Sequence, residues 1–281
     1  MSAPALPPLN VPALLRQHNL RPSKGLGQNY LVDEASLQKI TAAAGLGPSD
    51  TVLEIGPGLG SLTRHLARAA GRVIAVELDR KLIPVLENVL AGFKNVELIQ
   101  GDILELDLHT AIRVDGYRVV ANLPYYITSA VIRRLLEHGP RPACLVLTVQ
   151  REVAERICAG PGEMSLLALS VQLYGRPGIA GHIPAGAFYP PPKVDSAILK
   201  IDMHPEALLP AGRIERFFQY AKAGFSQKRK TLRNSLAGGL RIPAEKASRL
   251  LTEAGIDPQR RAETLSLQEW GRLVEQEDRA G

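Results

Sequence analysis

The stretch Thr51-Val52-Leu53-Glu54-Ile55-Gly56-Pro57-Gly58-Leu59-Gly60 decides how this chain is read. Its first half is a short apolar run of strand length, and its second half is a turn with a glycine at every other position. Glycines permit a tight turn and let a ligand come close to the backbone. A glycine-rich turn is weak evidence by itself. The dinucleotide fingerprint GxGxxG requires a glycine at position 61, which is Ser61, so GxGxG fits a cofactor without a pyrophosphate better.

Outward from this turn, short apolar runs alternate with helical patterns. A helix is expected over 61–70, a second strand over 72–76 and a helix over 81–91. A third strand is expected over 96–99, a fourth over 118–121, a helix over 129–137 and a fifth strand over 144–149. This alternation implies an α/β fold, a mainly parallel sheet with helices on both faces. Ligands on such sheets bind beyond the carboxyl ends of the strands. A proline-rich segment, 182–193, precedes a late strand expected over 194–201. After Pro205 the pattern is helical and basic, which places a domain boundary near His204. The expected division is 1–204, including an N-terminal extension, and a smaller all-helical domain over 205–281.

The composition agrees with a folded chain that meets an anionic partner. Hydrophobic residues make up 45% of the 281 positions, enough for a real core. The net charge of +6 favours nucleic acid or another anionic surface, although solubility alone can account for it. Aromatic residues are only 5% of the chain, so each one in a loop matters. The two cysteines, Cys144 and Cys158, have no CxxC spacing and no histidine cluster nearby, which suggests neither a disulfide framework nor a metal site. Cys144 lies in an apolar run and is expected to be a buried, inert thiol. Residues 1–12 are rich in Pro and Ala without a basic region ahead of an apolar stretch, and no run reaches the ~18 apolar residues of a membrane span. A cytosolic location without a membrane partner is expected.

Acids stand at the ends of the next two strands. Glu77 follows the second, about twenty residues after the glycines, where a carboxylate can bind ribose hydroxyls. Asp102, after Gly101, follows the third, where it can accept from an adenine amine. Either acid alone is as readily a plain strand-end carboxylate. Together with the glycine turn, the two describe an adenosine pocket.

Asn122-Leu123-Pro124-Tyr125 follows the fourth strand. Alone it reads as an ordinary turn; beside an adenosine pocket it acquires a chemical use. An adenine amine is a poor nucleophile because its lone pair is delocalised into the ring. Acceptors around its N–H groups stabilise the positive charge that develops as nitrogen attacks a methyl group. The Asn122 side-chain oxygen and the Leu123 carbonyl are candidates. Pro124 stiffens the turn, and Tyr125 offers a flat face for the base. A sulfonium methyl is already activated, so in-line geometry matters more than a strong base.

These motifs together resemble the ribosomal RNA adenine N6-dimethyltransferases of the KsgA group over nearly the whole chain. The resemblance adds Lys24-Gly25-Leu26-Gly27-Gln28-Asn29-Tyr30-Leu31, with Tyr30 where phenylalanine is usual, Gln150-Arg151-Glu152-Val153-Ala154, and the stretch from Phe188 through Pro190-Pro191-Pro192-Lys193 to Ser196. It implies a Rossmann-like class I methyltransferase domain and S-adenosyl-L-methionine as cofactor. It also implies that Asn29 and Leu31 contact the methionine end of that cofactor, with Gln28, Gly56, Gly58, Glu77, Asp102 and Asn122 completing the site. The implied reaction is dimethylation of two neighbouring adenosines in a hairpin loop near the 3′ end of 16S rRNA, within the 30S subunit or its precursor, by a monomer and without a metal.

The target base must be looped out to present its amine. Tyr125 and Phe188 are candidates to sandwich it, with Phe188 expected in a stiff, partly exposed loop, its plainer reading being a core aromatic. Lys222, Lys228, Arg229, Lys230, Arg233 and Arg241 occur with no acid between Glu215 and Glu245. Such a tract suits phosphate contact better than a merely solvated face. On one continuous helix Lys222, Arg229 and Arg233 share a face, while Phe218, Phe225, Leu232 and Leu236 share another; Gly224 is the expected point of interruption. The rival readings are a 23S rRNA adenine methyltransferase, a ribosome-assembly factor, and a small-molecule methyltransferase, which leaves the basic tract without a purpose.

Overall fold

The computed structural model describes residues 6–124 and 127–280. The chain divides into two units: residues up to Ala154 with Gly178–Met203, and Glu155–Pro177 with His204 onward.

The first unit is built on a sheet. Strands β2 (Thr51–Ile55), β3 (Arg72–Glu77), β4 (Val96–Gln100), β5 (Arg118–Asn122) and β6 (Cys144–Gln150) follow β1, the two-residue Tyr30–Leu31. With β7 (Gly175–Ile183) and β9 (Ser196–Met203) they form a seven-stranded sheet in the order β4-β3-β2-β5-β6-β9-β7. Strands β2 to β6 pair in parallel, and β9 runs antiparallel to β6, with Gln150 opposite Ser196. The central strands β2, β3, β5 and β6 are almost wholly buried, as a sheet covered on both faces requires. The edge strand β4 has no fully buried residue, and Glu97 and Gln100 are exposed. A separate antiparallel pair joins β1 to β8 (Phe188–Tyr189), with Tyr30 opposite Tyr189 and Leu31 opposite Phe188. The sheet is the expected one, with β9 as the late strand; β7 and the β1–β8 pair were not legible.

Helices complete the layers. Before the sheet come α1 (Val11–Gln17) and α2 (Glu34–Ala44). Asp33 caps α2 by accepting from Ser36 N at 2.8 Å, and Gly45 ends it at φ 58°. Between the strands lie α3 (Ser61–Ala69), α4 (Ile83–Leu90), α5 (Leu108–Ile112) and α6 (Thr128–Glu137). One apolar cluster joins Leu37 and Ile40 of α2 to Leu62 and Leu66 of α3 and to sheet residues Val52, Val73 and Val120. Another joins Val11 and Leu15 of α1 to Leu59, Leu82, Val85 and Leu86. Cys144 is buried in the first cluster, and burial pushes its thiol up to about 11, so it is inert as expected.

After α7 (Arg151–Cys158), the second unit holds α8 (Leu166–Gln172), α9 (Ala211–Phe225), α10 (Leu232–Leu240), α11 (Ala244–Glu253) and α12 (Leu267–Ala280). It takes in Glu155–Pro177, which the sequence reading leaves with the first domain. The reason is packing: Gln172 donates to the carbonyls of Ile157 and Ala159, and Gly162 N and Met164 N donate to the Glu263 carbonyl.

The basic face that one continuous helix would give does not form, and the interruption is not where it was expected. The chain breaks between Phe225 and Leu232, and Thr231 precedes the new helix. Gly224 is not the breaker, because α9 runs through it. A Cβ there would overlap the Trp270 ring, so the glycine makes room for the indole, which stacks on Phe225 at 5.8 Å between ring centroids. Lys222 is therefore on α9, Lys228, Arg229 and Lys230 are in the turn, and Arg233 is on α10; they do not share one helical face. Leu232 and Leu236 are buried, while Phe218 and Phe225 are only partly so.

Candidate active site

The carboxyl ends of β2, β3, β4 and β5 open into one cleft of about 1080 Å³, counting its open mouth. The glycine turn forms one wall. Gly56, Gly58 and Gly60 all have positive φ (68°, 62° and 86°), the region that side chains rarely adopt. Gly58 is also required by space: a Cβ there would lie 2.9 Å from the ring of Tyr30. The turn is tied down by Gly56 N to the Val76 carbonyl at 2.9 Å.

Glu77, at the tip of β3, is buried and lines the cleft. Its two oxygens accept from Gly58 N at 3.0 Å and Asp79 N at 2.8 Å. Burial raises its pKa, and these two backbone donors, each favouring the charged form, oppose the shift. Each oxygen keeps a lone pair, so the carboxylate both organises the glycine turn and has capacity left for a ligand hydroxyl. Asp102 lines the same cleft, and its Oδ1 accepts from Leu104 N at 2.9 Å.

Residues 23–29 form a strap whose Leu26, Gly27, Gln28 and Asn29 line the cleft. Gln28 is committed at both ends of its amide: Oε1 accepts from Ser23 N at 2.7 Å, and Nε2 donates to Asp79 Oδ2 at 2.9 Å. The strap thus hangs on the same β3 loop that Glu77 organises. Asn29 Nδ2 donates to the Gly27 carbonyl at 3.2 Å. The backbone carbonyl of Asn29 accepts from Asn122 Nδ2 at 3.0 Å. A carbonyl only accepts, so the Asn122 atom facing it must be the NH2 group, and the acceptor Oδ1 is the other arm of the same planar amide. Leu31 is buried in the wall behind.

Past Asn122, Leu123 is buried and Pro124 lines the cleft. The Pro124 carbonyl accepts from Ile127 N at 3.2 Å and Thr128 Oγ1 at 3.4 Å, which ties the turn to the start of α6. Tyr125 lies outside the described residues. Phe188 lines the cleft, but the expected partly exposed loop is corrected: it is a strand residue of β8, 4% exposed. Its ring joins the core cluster of Leu31, Leu37 and Ile198, because pairing with β1 turns it inward.

The sequence reading gave no separate role to Glu54 in the centre of the sheet. It is fully buried beneath the glycine turn and lines the cleft. Burial pushes its carboxyl up to about 8, with the charge of Glu77 adding to the effect. The Thr63 hydroxyl opposes part of this without closing a hydrogen bond of good geometry; Glu54 Oε2 and Thr63 Oγ1 both lack a partner among the described residues. Leu78 and Ile103, each the residue after a strand-end acid, also line the cleft. Their signal was an apolar side chain next to each acid.

The cleft thus brings together Gln28, Asn29, Leu31, Gly56, Gly58, Glu77, Asp102, Asn122, Leu123, Pro124 and Phe188. In the second unit, Lys222, Lys228, Arg229 and Lys230 are exposed, and Arg233 is half-buried with its Nε donating to Asn234 Oδ1 at 3.2 Å. Among the described residues, no group of three His, Cys, Asp or Glu side chains could hold a metal, and no helix is long and apolar enough to cross a membrane.

A family model described as ribosomal RNA adenine dimethylase matches residues 18–278. The chain is 50% identical to "Ribosomal RNA small subunit methyltransferase A" of Dehalococcoides mccartyi (strain CBDB1), over 92% of this chain and 90% of that one. It is 43% identical to the protein of the same name from Pelotomaculum thermopropionicum, over 95% of each. Among solved structures, it resembles a dimethyladenosine transferase from Plasmodium falciparum, with a TM-score of 0.77 and 28% identity over 89% of this chain and 98% of that one. The 23S rRNA methyltransferase ErmE gives a TM-score of 0.72 and 30% identity over 89% of this chain and 100% of that one.

Proposed function

The chain belongs to the ribosomal RNA adenine dimethylase family, and from that premise we propose that it dimethylates N6 of two neighbouring adenosines in the 3′-terminal hairpin loop of 16S rRNA, using S-adenosylmethionine. The observation that carries this reading is the Asn122 amide, fixed by the Asn29 carbonyl at the tip of β5 beside a cleft holding Glu77 and Asp102.

The residues fit the cofactor. A buried carboxylate with spare lone pairs suits ribose hydroxyls, an aspartate at the next strand tip suits an adenine amine, and glycines with positive φ leave backbone open to a close ligand. Glu77, Asp102, Gly56 and Gly58 would hold the adenosine. Asn29 and Leu31 would meet the methionine end, and Gln28 would act by fixing the strap. When bound, S-adenosylmethionine supplies an activated methyl group on a sulfonium. The protein's part is orientation. Asn122 Oδ1 and the Leu123 carbonyl accept from the target amine and stabilise its growing positive charge. Pro124 keeps the turn stiff, and Tyr125 and Phe188 bound the base.

In the second unit, Lys222, Lys228, Arg229, Lys230 and Arg233 serve as phosphate contacts, which makes this the RNA-binding part of the protein. Action on the 30S subunit or its precursor gives the protein a role in ribosome biogenesis in the cytoplasm, as a monomer. Similarity to ErmE raises 23S rRNA as the alternative substrate. The higher identity to small-subunit methyltransferases favours 16S.

Labelled methyl transfer to undermethylated 30S subunits and, separately, to 23S rRNA tests the proposal. Label is expected as N6-dimethyladenosine at two adjacent positions of 16S rRNA. Label in 23S rRNA alone, or on another atom, overturns it.

A further inference from the structure

Phe188 and Tyr189 form β8, and strand geometry sends adjacent side chains to opposite sides. With Phe188 turned inward to the cleft wall and core, Tyr189 stands outward, 40% exposed in a chain poor in aromatics. It pairs with Tyr30, whose ring lies on Gly58 in the cleft wall, so Tyr189 marks the cleft's rim. The loop that follows is held firmly. Asp195 Oδ1 accepts from Ala185 N at 2.9 Å, and the Asp195 carbonyl accepts from Arg151 N at 3.1 Å. Pro190, Pro191 and Pro192 restrict the backbone between, and Lys193 is exposed four residues beyond the ring.

An exposed aromatic face followed, four residues on along a proline-restricted loop, by an exposed ammonium suits one partner chemistry well: single-stranded nucleic acid, with a base on the ring and a phosphate at the cation. The target base itself must reach Asn122 inside the cleft. We infer that Tyr189 is a stacking platform for the nucleotide next to the target adenosine, with Lys193 at its phosphate. The inference rests on the proposed RNA substrate. Where the two target adenosines are neighbours, the platform holds one while the other reacts.

The test is steady-state transfer to undermethylated 30S subunits by Tyr189→Ala, Tyr189→Leu and Tyr189→Trp, with cofactor affinity measured by calorimetry. Loss of one base–aromatic stack is expected to raise KM for the 30S subunit roughly tenfold in Tyr189→Ala and Tyr189→Leu. Cofactor Kd should stay unchanged, and Tyr189→Trp should restore KM, since stacking needs a flat ring and no hydroxyl. Lys193→Gln should flatten the salt dependence of RNA affinity by about 0.7 in log–log slope, the value of one contact to a single strand. Unchanged KM in Tyr189→Ala, or rescue by Leu as good as by Trp, overturns the platform while leaving the proposed reaction standing. Absence of transfer by the unsubstituted protein overturns both.

Discussion

In the cleft, Glu77 keeps its carboxylate buried with each oxygen on a backbone N–H, whereas Lys228, Arg229 and Lys230 stand in water in the turn between α9 and α10. The first arrangement is fixed before any ligand arrives. Its donors and acceptors need no reorganisation, and each matters greatly because the carboxylate is buried. The second is a cloud of charge whose effect is shared among several side chains and screened by salt. The contrast separates a part of the protein that must choose an atom from a part suited to hold a polyanion. It also makes the two regions answer differently to substitution.

The sharpest break is expected at Asn122. Asn122→Ala removes an acceptor at the reacting nitrogen and should lower kcat about 10²–10³-fold in single-turnover transfer. The variant also frees the Asn29 carbonyl, so calorimetry should show a loss of cofactor affinity of only a few-fold. A larger loss of affinity than of rate would make Asn122 a strap anchor first.

Glu77→Ala comes next. It deletes the proposed ribose acceptor and leaves the N–H groups of Gly58 and Asp79 without their partner, and cofactor Kd should rise roughly ten- to a hundredfold. An unchanged Kd would remove Glu77 from the site.

The basic turn should respond more mildly. Reversing Arg229 and Lys230 to Glu should weaken RNA binding about tenfold near physiological salt and flatten the log–log salt slope by nearly 2, the counterions of two contacts. If affinity and slope both stay put, the tract is only a solvated surface.

A last effect concerns stability and pH rather than activity. The Glu54 carboxyl lies at about 8 in the folded protein against an ordinary 4.5, so between these values the folded state binds more protons than the unfolded chain. Stability from this group is therefore full below about pH 4.5 and is lost as pH rises towards 8. Thermal melts of Glu54→Gln should show a weaker decline across that window than those of the parent protein. An identical decline would mean that Glu54 is not the group responsible.

Much of this contrast was already legible along the chain. The run from Thr51 to Gly60, Glu77 and Asp102 announce themselves because a parallel sheet places successive strand ends on one side, so local motifs become neighbours without knowledge of the packing. Phe188 was harder. Its sequence surroundings, Tyr189 and three prolines, suggest an exposed loop, and only pairing with β1 sends its ring inward. Gly224 was equally opaque: its reason is the Trp270 ring, which lies 46 positions away in the chain (270 − 224).

The sequence by itself determined the alternation of β2 to β6 with the helices between them, the glycine turn, the strand-end acids and the excess of basic residues, because each depends on local pattern or on simple addition of charge. Tertiary structure alone decided that residues 155–177 pack with the C-terminal helices, that the basic residues are split across a turn, that burial raises the Glu54 carboxyl, and that the Asn122 amide is turned by the Asn29 carbonyl. Those outcomes depend on which distant groups share a dry contact, and burial, hydrogen-bond direction and pKa come into being only when such contacts form.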